Sequence, residues 1–240
     1  MTLQHQRVAV LGGTSGIGLA TAVAAGEAGA DVVVVGRRPQ SVERALVVLP
    51  TTAAGRAADL TDPETVAKLF ADLGELDHVV YTAGEPLVLT PLDDLDIETA
   101  RQQFMLRYFG ALATAHSARP HLRDGGSITL TTGTAGERPD AGWSVAASVC
   151  GAIDALTRAL AVELAPRIRV NAVSPGVTRS PLWSALPEPQ REALYEQQAA
   201  SAPLGRVGEV DDVARAYVYS MTQDFATGSI LRVDGGAVLA

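Results

Sequence analysis

The segment Gly12-Gly13-Thr14-Ser15-Gly16-Ile17-Gly18 constrains this chain more than any other. It follows a short apolar run, Val8-Ala9-Val10-Leu11, and opens a helical pattern from Ile17 to Ala28. Glycines at 12, 16 and 18 are spaced for a tight turn, a close backbone approach to a pyrophosphate and tight packing of helix on strand. The start of the helix offers free N–H groups and the positive end of its dipole to phosphate. A glycine pattern alone says little, but between a strand and a helix it reads as a dinucleotide site lined by Gly12, Thr14, Ser15, Gly16, Ile17 and Gly18.

The rest of the chain alternates in the same way. Val32 to Val35, His78 to Tyr81, Ser127 to Leu130, Arg169 to Val173 and Ile230 to Val233 read as strands, with a weaker run near Ala53 to Ala58. Helical patterns lie between them, at Pro63 to Leu73, Ile97 to His121, Ser144 to Leu164 and Val210 to Ser220, and Asp62 before Pro63 reads as a cap with a first-turn proline. Uninterrupted runs such as Val32-Val33-Val34-Val35 fit strands covered on both faces, and helical connections imply right-handed crossovers. The expected fold is α/β: one Rossmann domain over residues 1–240, a doubly wound parallel sheet with helices on both faces. From Ser174 to Pro203 the pattern breaks into five prolines, Trp183 and a polar helix-like stretch, Pro189 to Ala200, expected to cover a substrate near the strand ends.

Composition narrows the partners. With 47% hydrophobic residues the chain can bury a large core, yet no run approaches the roughly 18 consecutive apolar residues of a membrane span, so no membrane partner is expected. The single cysteine, Cys150, cannot form an internal disulfide, and polar Gln4, His5 and Gln6 lead straight into a strand; a reducing cytoplasm is the expected location. A formal charge of −8 with scattered basic residues argues against nucleic acid. No His, Cys and Asp cluster has metal-ligand spacing.

The second strand runs into Arg37 and Arg38, where a site for NAD would place an acid against the ribose hydroxyls. Two guanidiniums there suit a 2′-phosphate, so NADP(H) is expected over NAD(H); the alternative is a solvated basic turn. Asp59 and Leu60 would flank the adenine, unless Asp59 is only a turn cap.

These residues, with Thr82-Ala83-Gly84, Val170-Asn171-Ala172-Val173-Ser174-Pro175-Gly176 and Val233-Asp234-Gly235-Gly236, resemble the ordered motifs of the short-chain dehydrogenase/reductase family along nearly the whole chain. The resemblance implies seven strands and a cofactor across their carboxyl ends, with Ala83, Gly84, Pro175, Gly176, Val177 and Thr178 joining the residues above. It also implies a homodimer or homotetramer packed through the two long helices. Leu11 stands where the family often has Thr, and Thr82 where it has Asn.

The family's proton-transfer machinery is Tyr, a Lys one turn on, a Ser and an Asn. Aligned on the helix around Cys150, those positions hold Ala146, Cys150, Gly133 and Arg107, with Thr132 or Thr134 replacing Gly133 after a one-residue slip. Arg107 reads either as a cation restored near the ribose or as a helix-surface salt bridge with Glu98 or another acid. Cys150 reads either as a nucleophile activated by that cation or as a small buried thiol. Thr131, Thr132 and Thr134 offer hydroxyls to a substrate oxygen, and Arg138, Asp140, Trp143 and Ser144 could edge the pocket. Two functions follow: an NADP(H)-dependent oxidoreductase of a small molecule with Arg107, Thr132 and Cys150 as candidate catalytic residues, or a catalytically silent cofactor- or ligand-binding relative acting as partner subunit or sensor.

Overall fold

The structure is a computed structural model that describes residues 2–87 and 89–240. Seven strands, β1 (Arg7–Leu11), β2 (Asp31–Gly36), β3 (Ala54–Ala57), β4 (Leu76–Tyr81), β5 (Leu122–Thr131), β6 (Arg169–Pro175) and β9 (Ile230–Val233), form one sheet in the order β3-β2-β1-β4-β5-β6-β9, with every pair parallel. The order turns back on itself between β1 and β4, which is where a sheet of this kind opens a crevice for a ligand. Register brings the strand ends level there: Leu11 lies opposite both Val35 and Tyr81, and Thr131 opposite Val173.

Helices cover both faces. Val8, Val10, Val32 and Val34 pack against α1 (Gly16–Glu27) and α8 (Val210–Thr222); Ala9, Leu11, Val33 and Val35 turn the other way, toward α3 (Pro63–Leu73), α5 (Gly110–Ala118) and α6 (Ser144–Leu164). This alternation explains why the central strands carry apolar residues without a polar face. By length and apolarity α6 could cross a membrane, but Val149, Ile153, Leu156, Leu160 and Leu164 bury one face in the core, as a core helix does. The cap expected before α3 is present: Asp62 accepts from the backbone N–H groups of Glu64 and Thr65 at 3.2 and 3.3 Å.

One expectation is corrected and two elements are added. The single helix from Ile97 to His121 is divided into α4 (Ile97–Phe104), a π-helical turn at Met105–Phe109, α5 and a 3-10 turn at Arg119–His121. A short helix, α2 (Pro39–Leu46), follows the Arg37-Arg38 turn without having been signalled, because eight residues carry too little periodicity. The segment after β6 also forms a two-stranded ribbon, β7 (Thr178–Arg179) with β8 (Gly208–Glu209), which returns α7 (Glu188–Ser201) over the strand ends.

Candidate active site

One cavity of about 540 Å³ runs along the carboxyl edge of the sheet. At one end is the glycine-rich turn. Gly12 has φ +87°, and a side chain there would come within 2.5 Å of the Ala83 backbone nitrogen, so only glycine allows β1 and β4 to part this closely. At Gly18 a Cβ would collide with the Gly12 carbonyl oxygen and the Thr82 hydroxyl. Thr82 anchors the same turn: its N–H and its hydroxyl both donate to the Leu11 carbonyl, at 2.8 and 3.0 Å. Helix α1 therefore starts hard against the strand ends, with no capping bond from the Ser15 side chain and no acid in its first turn. Its amide groups are left to a phosphate.

Arg37 and Arg38 border the same end of the cavity, with Asp59 and Leu60 beside them. Thr61 donates side-chain and backbone hydrogen bonds to Asp59, at 2.7 and 3.0 Å, and these, with the nearby Arg37, hold its carboxyl below the usual carboxylate range. All of Gly12, Thr14, Ser15, Gly16, Ile17, Gly18, Ala83, Gly84, Pro175, Gly176, Val177 and Thr178 line the cavity. The Thr178 hydroxyl, though, is spent on the Gly176 carbonyl at 3.0 Å.

The other end is built from distant segments. Trp143 and Trp183, with ring centroids 6.4 Å apart, pack with Leu87, Leu182, Val177 and Ala146 into an apolar wall. Trp183 is pinned by its indole N–H to the Thr178 carbonyl at 3.1 Å, and the Leu87 N–H donates to the Leu182 carbonyl at 2.9 Å, tying the loop after β4 to the cover. Of the residues expected to edge this end, Trp143 lines it; Asp140 and Ser144 are exposed, and Arg138 reaches away to the Ala237 carbonyl.

The candidate hydroxyls are mostly engaged. Thr131 bonds to both the Tyr81 carbonyl and the Tyr217 hydroxyl at 2.6 Å, and Thr132 donates to the Cys150 carbonyl at 3.0 Å, which fastens β5 to α6. Cys150 lines the cavity, but burial pushes its thiol up, outweighing the weak pull of Arg107. Of the two readings of Cys150, this burial favours the packed thiol over the activated nucleophile. Gly133 complements it, since a Cβ there would lie 3.2 Å from the Cys150 sulfur. Tyr81 is the one phenol among the described lining residues; it is buried, its phenol is held far above the usual range, and it donates to the Leu106 carbonyl at 2.5 Å. The chain's single lysine, Lys68, is exposed on α3, away from this wall.

Arg107 does reach the site. It sits in the π-helical turn, a geometry found often at functional positions, and its Nη2 donates to the Glu85 carbonyl while Nε lies 3.6 Å from the Glu85 carboxylate. Of the acids that could pair with Arg107, Glu98 is taken by Arg101, with both largely exposed, and Glu85 is the one the fold supplies. Glu85 was missed by sequence reasoning; its one signal is its place directly after Thr82-Ala83-Gly84.

A parallel sheet with a glycine-rich turn at its switch point defines a dinucleotide-binding α/β protein. The model of the SDR-like Rossmann domain matches residues 2–240, and the chain belongs to the short-chain dehydrogenase/reductase family. It is 38% identical to the short-chain dehydrogenase/reductase ATR9 of Stachybotrys chlorohalonatus, over 99% of each chain, and 36% identical to fsr5 of Gibberella fujikuroi, over 99% of this chain and 96% of that one. Among solved structures it is similar to a small-chain dehydrogenase in complex with NADPH, with TM-score 0.86, 34% identity and 98% and 99% of the two chains covered. It is also similar to the MalC reductase/Diels-Alderase of Malbranchea aurantiaca, with TM-score 0.90, 30% identity and 99% and 98% covered.

Proposed function

We propose that this chain is an NADP(H)-dependent oxidoreductase of a small molecule that works without the family's tyrosine–lysine pair. The observation that carries the reading is a single cavity that joins a glycine-built phosphate cradle to a substrate end whose charged side chains, among the described lining residues, are Arg107 and Glu85. The NADPH bound to the similar dehydrogenase supports the choice of cofactor, as do Arg37 and Arg38 beside the place for a 2′-phosphate.

A nicotinamide bound here would supply the hydride, and the chain's residues would hold it and shape its surroundings. The α1 amides would hold its pyrophosphate, and Gly84, Pro175 and Gly176 line the cavity beyond them. Trp143, Trp183 and Leu182 exclude water and take the apolar body of the substrate. In the family's alignment Ala146, Cys150, Gly133 and Arg107 stand at the Tyr, Lys, Ser and Asn positions. With no free phenol, the fitting acceptors are those that need little acid help: an enone, an iminium or an acidic carbonyl. The Arg107 guanidinium stabilises negative charge that develops on a substrate oxygen.

The test is NADPH oxidation by the purified protein across ketones, imines and enones. Steady turnover of any acceptor supports the reading, and silence across the panel with NADPH still bound replaces it with the second one, a silent cofactor-binding subunit or sensor. The engaged Thr131 and Thr132 hydroxyls and the raised thiol of Cys150 favour that second reading. Carbonyl reduction appearing only in Gly133→Ser/Ala146→Tyr/Cys150→Lys would support it further. We expect a homodimer or homotetramer: Met105 and Phe109 on the π-helical turn and Val162 on α6 expose apolar side chains, and light scattering reads the assembly directly.

A further inference from the structure

We propose that Glu85 is the positioning residue that aims the Arg107 guanidinium into the substrate end of the cavity; the inference rests on the oxidoreductase reading above. Three independent features converge on this arginine. The π-helical turn at Met105–Phe109 widens the helix where Arg107 leaves it, and the Leu106 carbonyl in that turn is taken up by the buried Tyr81 hydroxyl. Directly below, Gly110 has no side chain, and a Cβ there would strike that same hydroxyl. The bulge is thus held from β4 by a phenol that chemistry at the site does not use.

The second feature is Gly84. A Cβ at this position would fall 2.7 Å from Nη1 and 2.8 Å from Cζ of Arg107, so the guanidinium occupies the space that any other residue would fill. The third is Glu85, which grips the guanidinium twice. Its carbonyl accepts from Nη2, and its carboxylate Oε2 faces Nε at 3.6 Å. Nε and Oε2 are both buried atoms that make no hydrogen bond to the described residues, so each relies on the other for charge compensation. The backbone bond fixes where the guanidinium sits, and the carboxylate fixes its rotation on the cavity wall.

The contrast with Arg101–Glu98 shows why this is not a decorative pair. There the side chains are 73% and 63% exposed, and solvent would screen them; here they are 20% and 34% exposed, on the wall of the cavity. Removing the charge at 85 leaves a partly buried cation without its counter-charge, free to swing toward water.

The experiment compares the parent with Glu85→Gln, Glu85→Asp and Arg107→Lys. In ¹⁵N-arginine-labelled protein, the Nε–H resonance of Arg107 is the one missing from Arg107→Lys. It should be sharp in the parent, lost or averaged in Glu85→Gln, and partly restored in Glu85→Asp. With NADPH and cyclohexenone or a cyclic iminium salt, Glu85→Gln should lose about tenfold to a hundredfold in kcat. Its KM for NADPH and its NADPH affinity should stay within about twofold, as the nucleotide end is untouched. An unmoved Arg107 resonance in Glu85→Gln, or a loss confined to the KM for NADPH, overturns the inference. A parent that turns over neither acceptor, while the resonance behaves as expected, supports the positioning and strikes only the oxidoreductase reading.

Discussion

The two ends of this cavity are made by different physics. The glycine-rich end is backbone: glycines at 12 and 18 remove side chains so that strand, turn and helix can approach, which leaves the amide groups at the start of α1 bare. The substrate end is side chain: Trp143 comes from the approach to α6, Trp183 from the cover, Arg107 from a π-helical turn and Glu85 from the loop after β4. Phosphate recognition tolerates any residue that leaves the backbone bare in the right shape. Substrate chemistry depends on which groups arrive together from segments far apart in the chain. A family can therefore keep its nucleotide end while the substrate end is rebuilt.

The sharpest way to break the contrast is at the turn. Gly18→Leu should abolish the cradle, because its Cβ would collide with the Gly12 carbonyl and Thr82. We expect NADPH affinity to fall at least about a hundredfold, near 2.7 kcal/mol, in calorimetry, with the fold retained by circular dichroism. Binding within threefold of the parent would show that the turn is not the cradle.

A change beneath both ends should act on them equally. His78 is buried in β4, bonded to Ser127 at 2.8 Å and Gln6 at 3.1 Å, and burial with the nearby Arg169 lowers its pKa from 6.5 to about 4. The unfolded chain takes up this proton near pH 6.5 and the folded one only near pH 4, so the contribution to stability is whole above pH 6.5 and is lost as pH falls toward 4. The loss is at most about 3 kcal/mol. Denaturant unfolding in that window should lose its slope in part in His78→Gln, and an unchanged slope would remove His78 as its source.

Smaller again is Arg37→Ala, expected to weaken NADPH about tenfold to a hundredfold and leave NADH alone, which removes one charge-assisted phosphate contact. Equal losses for both coenzymes would count against a 2′-phosphate contact there. The smallest effect falls on the cover. Arg179 stacks 4.4 Å from the Tyr195 ring and pairs with Glu192 and Glu209, but it is 44% exposed and solvent screens those pairs. Arg179→Ala should cost less than about 1 kcal/mol in unfolding and raise the substrate KM about twofold, with NADPH affinity unmoved. A shift in coenzyme affinity would mean that the two ends are coupled through the cover.

Legibility followed the same division. The strand runs and the Asp62 cap could be read directly, since burial on both faces and a first-turn proline leave marks in adjacent residues. The π-helical turn left none: Ile97 to His121 has an ordinary helical pattern, and the bulge is stabilised by Tyr81, 25 residues before the carbonyl it binds. Arg107 stands out in the sequence by its position, but nothing nearby names its acidic partner, and the structure supplies Glu85 from a loop 22 residues away. Cys150 is a lone thiol near a cation in the sequence, and its close neighbours Gly133, Gly136 and Thr132, whose packing favours the buried reading, come from segments that only the fold brings together.

By itself the sequence determined the sheet, the crossovers and the glycine-rich turn, because each depends on hydrophobic period and glycine placement within some twenty neighbouring residues. The tertiary structure alone decided which hydroxyls were consumed by the scaffold, which way the thiol was pushed and which carboxylate met Arg107. Those outcomes are contacts between residues remote in sequence, and burial, which sets the strength of every charge and hydrogen bond among them, exists only once the chain has folded.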